Sequence, residues 1–175
     1  MEISPLRREY IPQAAALFVE GCKKQRLATP FLSDRMENVE RVTTMLDRLL
    51  DSCPGVAALE DGRLVGYMGW YIADGFRGTD RKGAYCPEWG HSSVEEAKPG
   101  ICRAMYRVAA DQWAAAGCRV HAVTFLAQDR TAEQVWFWNG FGLTVVDGVR
   151  PMRPLDRPCS TPVSIRKATQ ADTPI

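Results

Sequence analysis

The apolar positions along the first third of the chain recur with a helical period, and their breaks mark out elements. Ile3 to Leu6 is a short apolar run that predicts an opening strand. Pro12 suits the first turn of a helix, and Ala14, Leu17, Phe18, Gly21 and Cys22 share one face of a helix over 12–25. Thr29-Pro30 breaks it. Asp34 and Glu37 have the spacing of a capping box. They precede Val39, Val42, Leu46, Leu49, Leu50 and Cys53, the clearest amphipathic stripe in the chain. Pro54-Gly55 closes that helix.

Beyond Gly55 the period falls to two. Residues 56–60 predict a strand, Asp61-Gly62 a hairpin turn, and 64–72 the partner strand. The polar, Gly-rich stretch 74–82 is a loop. Residues 83–87 predict a further strand that Pro87 limits, and 88–99 reads as an irregular loop. Ile101, Met105, Val108, Ala109, Gln112, Trp113 and Ala116 form a helical stripe ended by Gly117. A strand over 119–127, a helix over 131–138 with Gly140 just past its end, and a final strand over 143–149 complete the pattern. The order is β-α-α-β-β-β-α-β-α-β. It predicts an α/β (α+β) fold, a mixed and mostly antiparallel sheet flanked by helices.

Composition narrows the partners rather than the fold. A chain of 175 residues with 46% apolar and 25% charged positions is that of one ordinary globular domain. A net charge of +1 gives no electrostatic reason to expect nucleic acid or an anionic membrane. No apolar run is long enough to span a bilayer, and Met1-Glu-Ile-Ser-Pro-Leu6 lacks an apolar signal core, so a cytoplasmic location is the expectation. The six cysteines (22, 53, 86, 102, 118 and 159) form no Cys-x-x-Cys pair, and neither His91 nor His121 stands at ligand spacing to them. No metal site is expected, and in a reducing compartment the thiols serve as packing. Pro151, Pro154, Pro158 and Pro162 make 151–162 an extended linker.

The chemistry is concentrated in Asp129-Arg-Thr-Ala132-Glu-Gln-Val-Trp136-Phe-Trp-Asn-Gly140-Phe141. This stretch resembles the last helix of the GNAT (Gcn5-related) N-acetyltransferases, Asn-x-x-Ala-x-x-x-Tyr-x-Lys-x-Gly-Phe. The resemblance covers about residues 1–150 and implies the GNAT fold, with acetyl-CoA as co-substrate and an amine of a small molecule or peptide as acceptor. In that family the Asn borders the acetyl-CoA site and the Tyr hydroxyl protonates the departing thiolate. Asp129 and Trp136 hold those positions here. An indole N–H has no accessible acid ionisation, so Trp136 is no general acid. Asp129 is also a good N-cap for the helix.

The family's phosphate loop, Gln/Arg-x-x-Gly-x-Gly/Ala, holds a diphosphate on backbone amides at a helix start. The matching frame is Ala97-Lys98-Pro99-Gly100-Ile101-Cys102. Gly100 fits, Ala97 and Cys102 depart, and Pro99 removes one donor. Lys98 and Arg103 add cations for phosphate. The resemblance thus implies a coenzyme site built from Cys86, Lys98, Gly100, Ile101, Cys102, Arg103, Asp129 and Trp136. For the acceptor amine, Glu88 is the candidate general base, with an exposed turn residue as its alternative. His91 suits the same role near neutral pH, or is a polar loop residue. Tyr85 is a candidate replacement acid, or an aromatic on a strand face. Trp136, Phe137 and Trp138 cannot all face the core, so at least one belongs to a groove or an interface.

Residues 163–172 resemble the opening of another GNAT domain, Ile-Arg-x-Ala-Thr-x-x-Asp, which implies a truncated tandem protein; a polar tail is the other reading. Three functions remain open: an acetyl-CoA-dependent N-acetyltransferase, a catalytically silent GNAT-like module that binds acyl-CoA or supports an active partner domain, and a structural domain. A homodimer, or packing against a second GNAT domain, is a further partner expectation.

Overall fold

The computed structural model of the protein describes residues 1–150, 152–153, 164 and 166–172. Most of the Pro-rich stretch 151–162, and Val163 and Ile165 of the second-domain resemblance, lie outside the described residues. The elements run β1 (Glu2–Pro5), α1 (Ile11–Ala28), α2 (Val39–Ser52), β2 (Gly55–Glu60), β3 (Arg63–Gly69), β4 (Tyr71–Ala73), β5 (Gly83–Cys86), β6 (His91–Ser93), α3 (Lys98–Ala115), β7 (Val120–Val123) and α4 (Arg130–Trp138).

Two sheets share two runs of chain. The first has the order β1-β2-β3-β6, all antiparallel; the second has the order β4-β5-β7, with β5 and β7 parallel. Asp61 (φ 49°) and Gly62 (φ 76°) are both left-handed, the geometry of a two-residue hairpin loop matched to strand twist. The pairing steps from Ala58↔Gly66 to Leu59↔Leu64, so Val65 is the extra residue of a bulge. α1 and α2 cover one face through Phe18, Val42, Leu46 and Leu49, against Ala57, Leu59 and Tyr67. α3 and α4 cover the other through Met105, Trp113 and Trp136, against Val56, Met68 and Trp70. A Cβ on Gly66 would lie 2.6 Å from Ile101 Cγ2. The bare backbone there lets the first turn of α3 sit directly on β3.

The helices and the β2–β3 hairpin follow the apolar pattern; several details differ. The expected strand 64–72 is divided at Trp70, which is fully buried with its ring edge-on to Trp113 at 5.4 Å. Before the break the chain pairs with β2 and β6, after it with β5. The expected loop 88–99 contains β6. Helix α2 is capped by Asn38, whose Oδ1 accepts from Arg41 N at 2.8 Å; Asp34–Glu37 forms a 3-10 turn instead of a capping box, and Glu37 pairs with Arg26. The expected strand 143–149 is not formed. No strand among the described residues pairs with it, and Leu143 and Val146 stand 81% and 64% exposed. A strand needs a neighbour to satisfy its amides, and the apolar pattern alone supplies none.

Candidate active site

β5 and β7 run parallel through four rungs, Gly83↔Val120 to Cys86↔Val123, and Thr124 N donates to Cys86 O at 2.9 Å just beyond. There the two runs separate. Pro87 and the 3-10 turn Glu88–Gly90 carry one run across to pair with β3 as β6, while the other continues through Phe125 and Leu126 to α4. Gly90 is needed at this crossing, because a Cβ would meet Gly69 O at 2.8 Å. Tyr67 O–H donates to Trp89 O at 2.8 Å and pins the turn from beneath.

The parted strands bound a cleft of about 270 Å3. One wall is His91 to Glu96, the other Phe125, Leu126 and Asp129; Leu17, Phe18 and Gly21 of α1 close one side, and Lys98 and Cys102 of α3 another. A second hollow of about 490 Å3 adjoins it. Arg63, Val94 and Glu96 line both, and Gly100 and Ile101 line the second alone. At the start of α3, Lys98 N donates to Glu95 O at 3.3 Å and Ile101 N to Ala97 O at 3.0 Å. Pro99 has no N–H, and no carbonyl of the described residues accepts from Gly100 N. A Cβ built on Gly100 meets nothing within 4 Å. Gly100 lines the second hollow, and an unpaired amide at a helix start fits a phosphate oxygen.

Lys98 is not a free cation. It is 7% exposed, and its Nζ lies 2.7 Å from both Glu95 Oε1 and Asp129 Oδ2. Burial pulls its pKa down, but the hydrogen bonds to Asp129 and Glu95 outweigh burial and leave it above the ordinary lysine value. Asp129 divides its oxygens. Oδ2 takes Lys98, and Oδ1 accepts from Ala132 N at 2.9 Å, the helix cap expected of it. Cys102 is 5% exposed. Burial raises its pKa, so the thiol stays protonated.

Of the two base candidates, both line the cleft. His91 is held by a bond of 2.9 Å between its Nε2 and Thr124 O, across the point where the strands part. A carbonyl only accepts, so Nε2 carries the proton. Burial lowers the pKa of the ring, and the neutral tautomer leaves the Nδ1 lone pair as acceptor. The other candidates lie elsewhere. Tyr85 stands on β5 outside the lining, with its phenol oxygen accepting from Thr124 Oγ1 at 3.2 Å. Cys86 is fully buried behind the cleft. Trp136 is 2% exposed, edge-on to Tyr106, Phe141 and His91 at 5.3–5.7 Å. It belongs to the core, and its neighbours Phe137 and Trp138 are the exposed pair. Arg103 is on the exposed side of α3. Arg63 and Ser93 line the site and carried no signal in the sequence, since the pairing of β3 with β6 brings them there.

No model of a protein family and no curated protein matches the chain. Solved structures do. A probable acetyltransferase superposes with a TM-score of 0.62 at 18% identity, over 89% of this chain and 100% of the other. Ribosomal-protein-alanine N-acetyltransferase from Brucella melitensis biovar Abortus 2308 gives 0.61 at 14%, over 86% and 98%. Aminoglycoside N-acetyltransferase AAC(6')-Iy, in complex with CoA, gives 0.59 at 16%, over 87% and 95%. The fold is that of the GNAT acetyltransferases. Within the GNAT fold, the parting of β6 from the chain after β7 makes the cleft, and the helix start beside it carries the matching Gly100. Among the described residues no group of His, Cys, Asp or Glu is arranged to hold a metal, and no helix is long and apolar enough to cross a membrane.

Proposed function

We propose that the protein is an acyl-CoA-dependent N-acyltransferase that moves an acetyl group from acetyl-CoA to an amine of a small molecule or peptide. The observation that carries this reading is the cleft between the parted strands, opening toward the start of α3. The diphosphate is received by the Gly100 amide with Arg63 and Lys98 nearby, and the acyl end lies between β6 and Phe125–Leu126. His91, through Nδ1, or Glu88 takes the proton from the acceptor amine. The amine nitrogen then bonds to the thioester carbon as the C–S bond breaks. A thiolate is a competent leaving group, so the reaction proceeds without the missing Tyr hydroxyl, only more slowly.

The second reading, a silent module that binds the coenzyme without turning it over, is favoured by one observation. Trp136 occupies the acid's position and is packed in the core rather than facing the cleft. The two readings separate by assay. Calorimetry with acetyl-CoA is expected to show saturable binding that Gly100→Glu abolishes without lowering the melting temperature, because the new side chain enters open space. Absence of saturable binding by the wild-type chain refutes both readings. Amine-dependent thiol release distinguishes the enzyme from the silent module.

A further inference from the structure

We propose that Lys98 and Asp129 form a latch across the mouth of the cleft, which must open before an occupant passes between the strands. The ammonium has two carboxylate partners, and only one of them lies across the gap. Glu95 is on the same side, three residues earlier in the chain; Asp129 is on the far side, thirty-one residues later. The Asp129 carboxylate cannot follow a departing lysine, because its other oxygen holds the Ala132 amide at the start of α4. The bond that opens is therefore Nζ to Oδ2.

Glu95 decides that this is a latch and not a permanent tie. A buried ammonium stripped of its sole partner is strongly disfavoured. Here Glu95 stays bonded as Asp129 is released, and its side chain is 48% exposed against 9% for Lys98. The pair swings outward together, toward water, and the ammonium is never stranded. The occupant's identity as an acyl-CoA rests on the function proposed above; the latch itself is read without it.

Cys102 supplies the readout. It lines the same cleft beside Lys98, is 5% exposed, and lies 3.7 Å from Ser93 Oγ. The full chain is treated with iodoacetamide and Cys102 alkylation is followed by peptide mass spectrometry, in wild type, Asp129→Asn and Glu95→Gln. Asparagine retains the helix cap but loses the charged hydrogen bond. Cys102 is expected to react roughly tenfold faster or more in Asp129→Asn, the scale set by losing a hydrogen bond to a charged group. Glu95→Gln keeps the crossing bond but withdraws the charged partner that accompanies the lysine outward, so Cys102 there reacts no faster than in wild type. Cys86, fully buried, reports global unfolding and stays slow in all three. Equal Cys102 rates in wild type and Asp129→Asn, or a parallel rise at Cys86, overturn the latch. A second arm adds CoA. Protection of Cys102 by CoA, with tighter binding to Asp129→Asn than to wild type, joins the latch to the proposed function. Faster labelling in Asp129→Asn with no protection by CoA in either protein upholds the latch and sinks the acyl-CoA reading.

Discussion

Replacing Gly66 by alanine would push a methyl group into the first turn of α3. The new Cβ stands 2.6 Å from Ile101 Cγ2 and 3.2 Å from both Met105 Cε and Ser93 Cβ. The first distance is a clash. Ile101 is 2% exposed and branched at Cβ, so its χ1 in a helix has one strongly preferred setting and Cγ2 cannot swing clear. Overpacking of this kind costs about 1–3 kcal/mol. Against it, alanine restricts the unfolded chain, worth about 0.4–1 kcal/mol, and Gly66 is not among the residues with positive φ, so that gain is available. At the middle of these ranges the clash wins, with a net loss of about 1.3 kcal/mol. For a chain of this size that is a fall of about 3–5 °C in melting temperature. A thermal scan by circular dichroism measures it. Ile101→Ala removes the obstructing methyl at a cost of its own, about 2–5 kcal/mol, so the double variant should lose clearly less than the sum of the singles. A Gly66→Ala protein that melts at or above the wild type, or strict additivity in the double variant, refutes the claim that this glycine seats α3. Because the Gly100 amide rides on the same turn, CoA affinity should weaken in Gly66→Ala as well.

Burial depresses the pKa of both histidines, His91 and His121. The folded chain thus binds fewer protons than the unfolded one below the ordinary histidine value of about 6.5. This contribution is complete above about pH 6.5 and is lost as pH falls through the folded values; the melting temperature should drop on acidification from pH 7 toward 5, and His91→Asn should flatten the drop. An unchanged slope in His91→Asn would show that His91 is not held neutral. Trp136→Tyr should lower stability by about 1–3 kcal/mol, as expected for a change of shape in a packed core, and leave thiol release unchanged, since the ring does not line the cleft. A rise in rate would place residue 136 at the thioester after all.

The parts of this fold that depend on neighbours in sequence were readable. The stripe of α2 needed only its own spacing, and the β2–β3 hairpin only Asp61-Gly62 between alternating residues. What escaped depends on residues far apart. β6, His91-Ser92-Ser93, shows no apolar alternation because His91, Ser92 and Ser93 all line the cleft, so a strand at the site has the sequence pattern of a loop. Residues 143–149 carry the opposite signal, a strand pattern without a strand to pair with. Of the candidate site, Gly100 and the capping role of Asp129 were legible from their frames. The state of Lys98 was not, because its deciding partner comes from the start of another helix. Trp136 could be excluded as an acid from its chemistry alone, but its burial follows from Tyr106 and Phe141 closing over it.

Trp70 and the crossing at Gly90 tie the two sheets together at the back of the cleft. One run of chain passes from β3 to β4 and another from β5 to β6, and they approach so closely there that a Cβ on Gly90 would lie 2.8 Å from Gly69 O. Such contact leaves that end of the cleft without slack. Widening of the cleft is therefore expected at the other end, where α3 and α4 begin, as a change in the angle between the two helices.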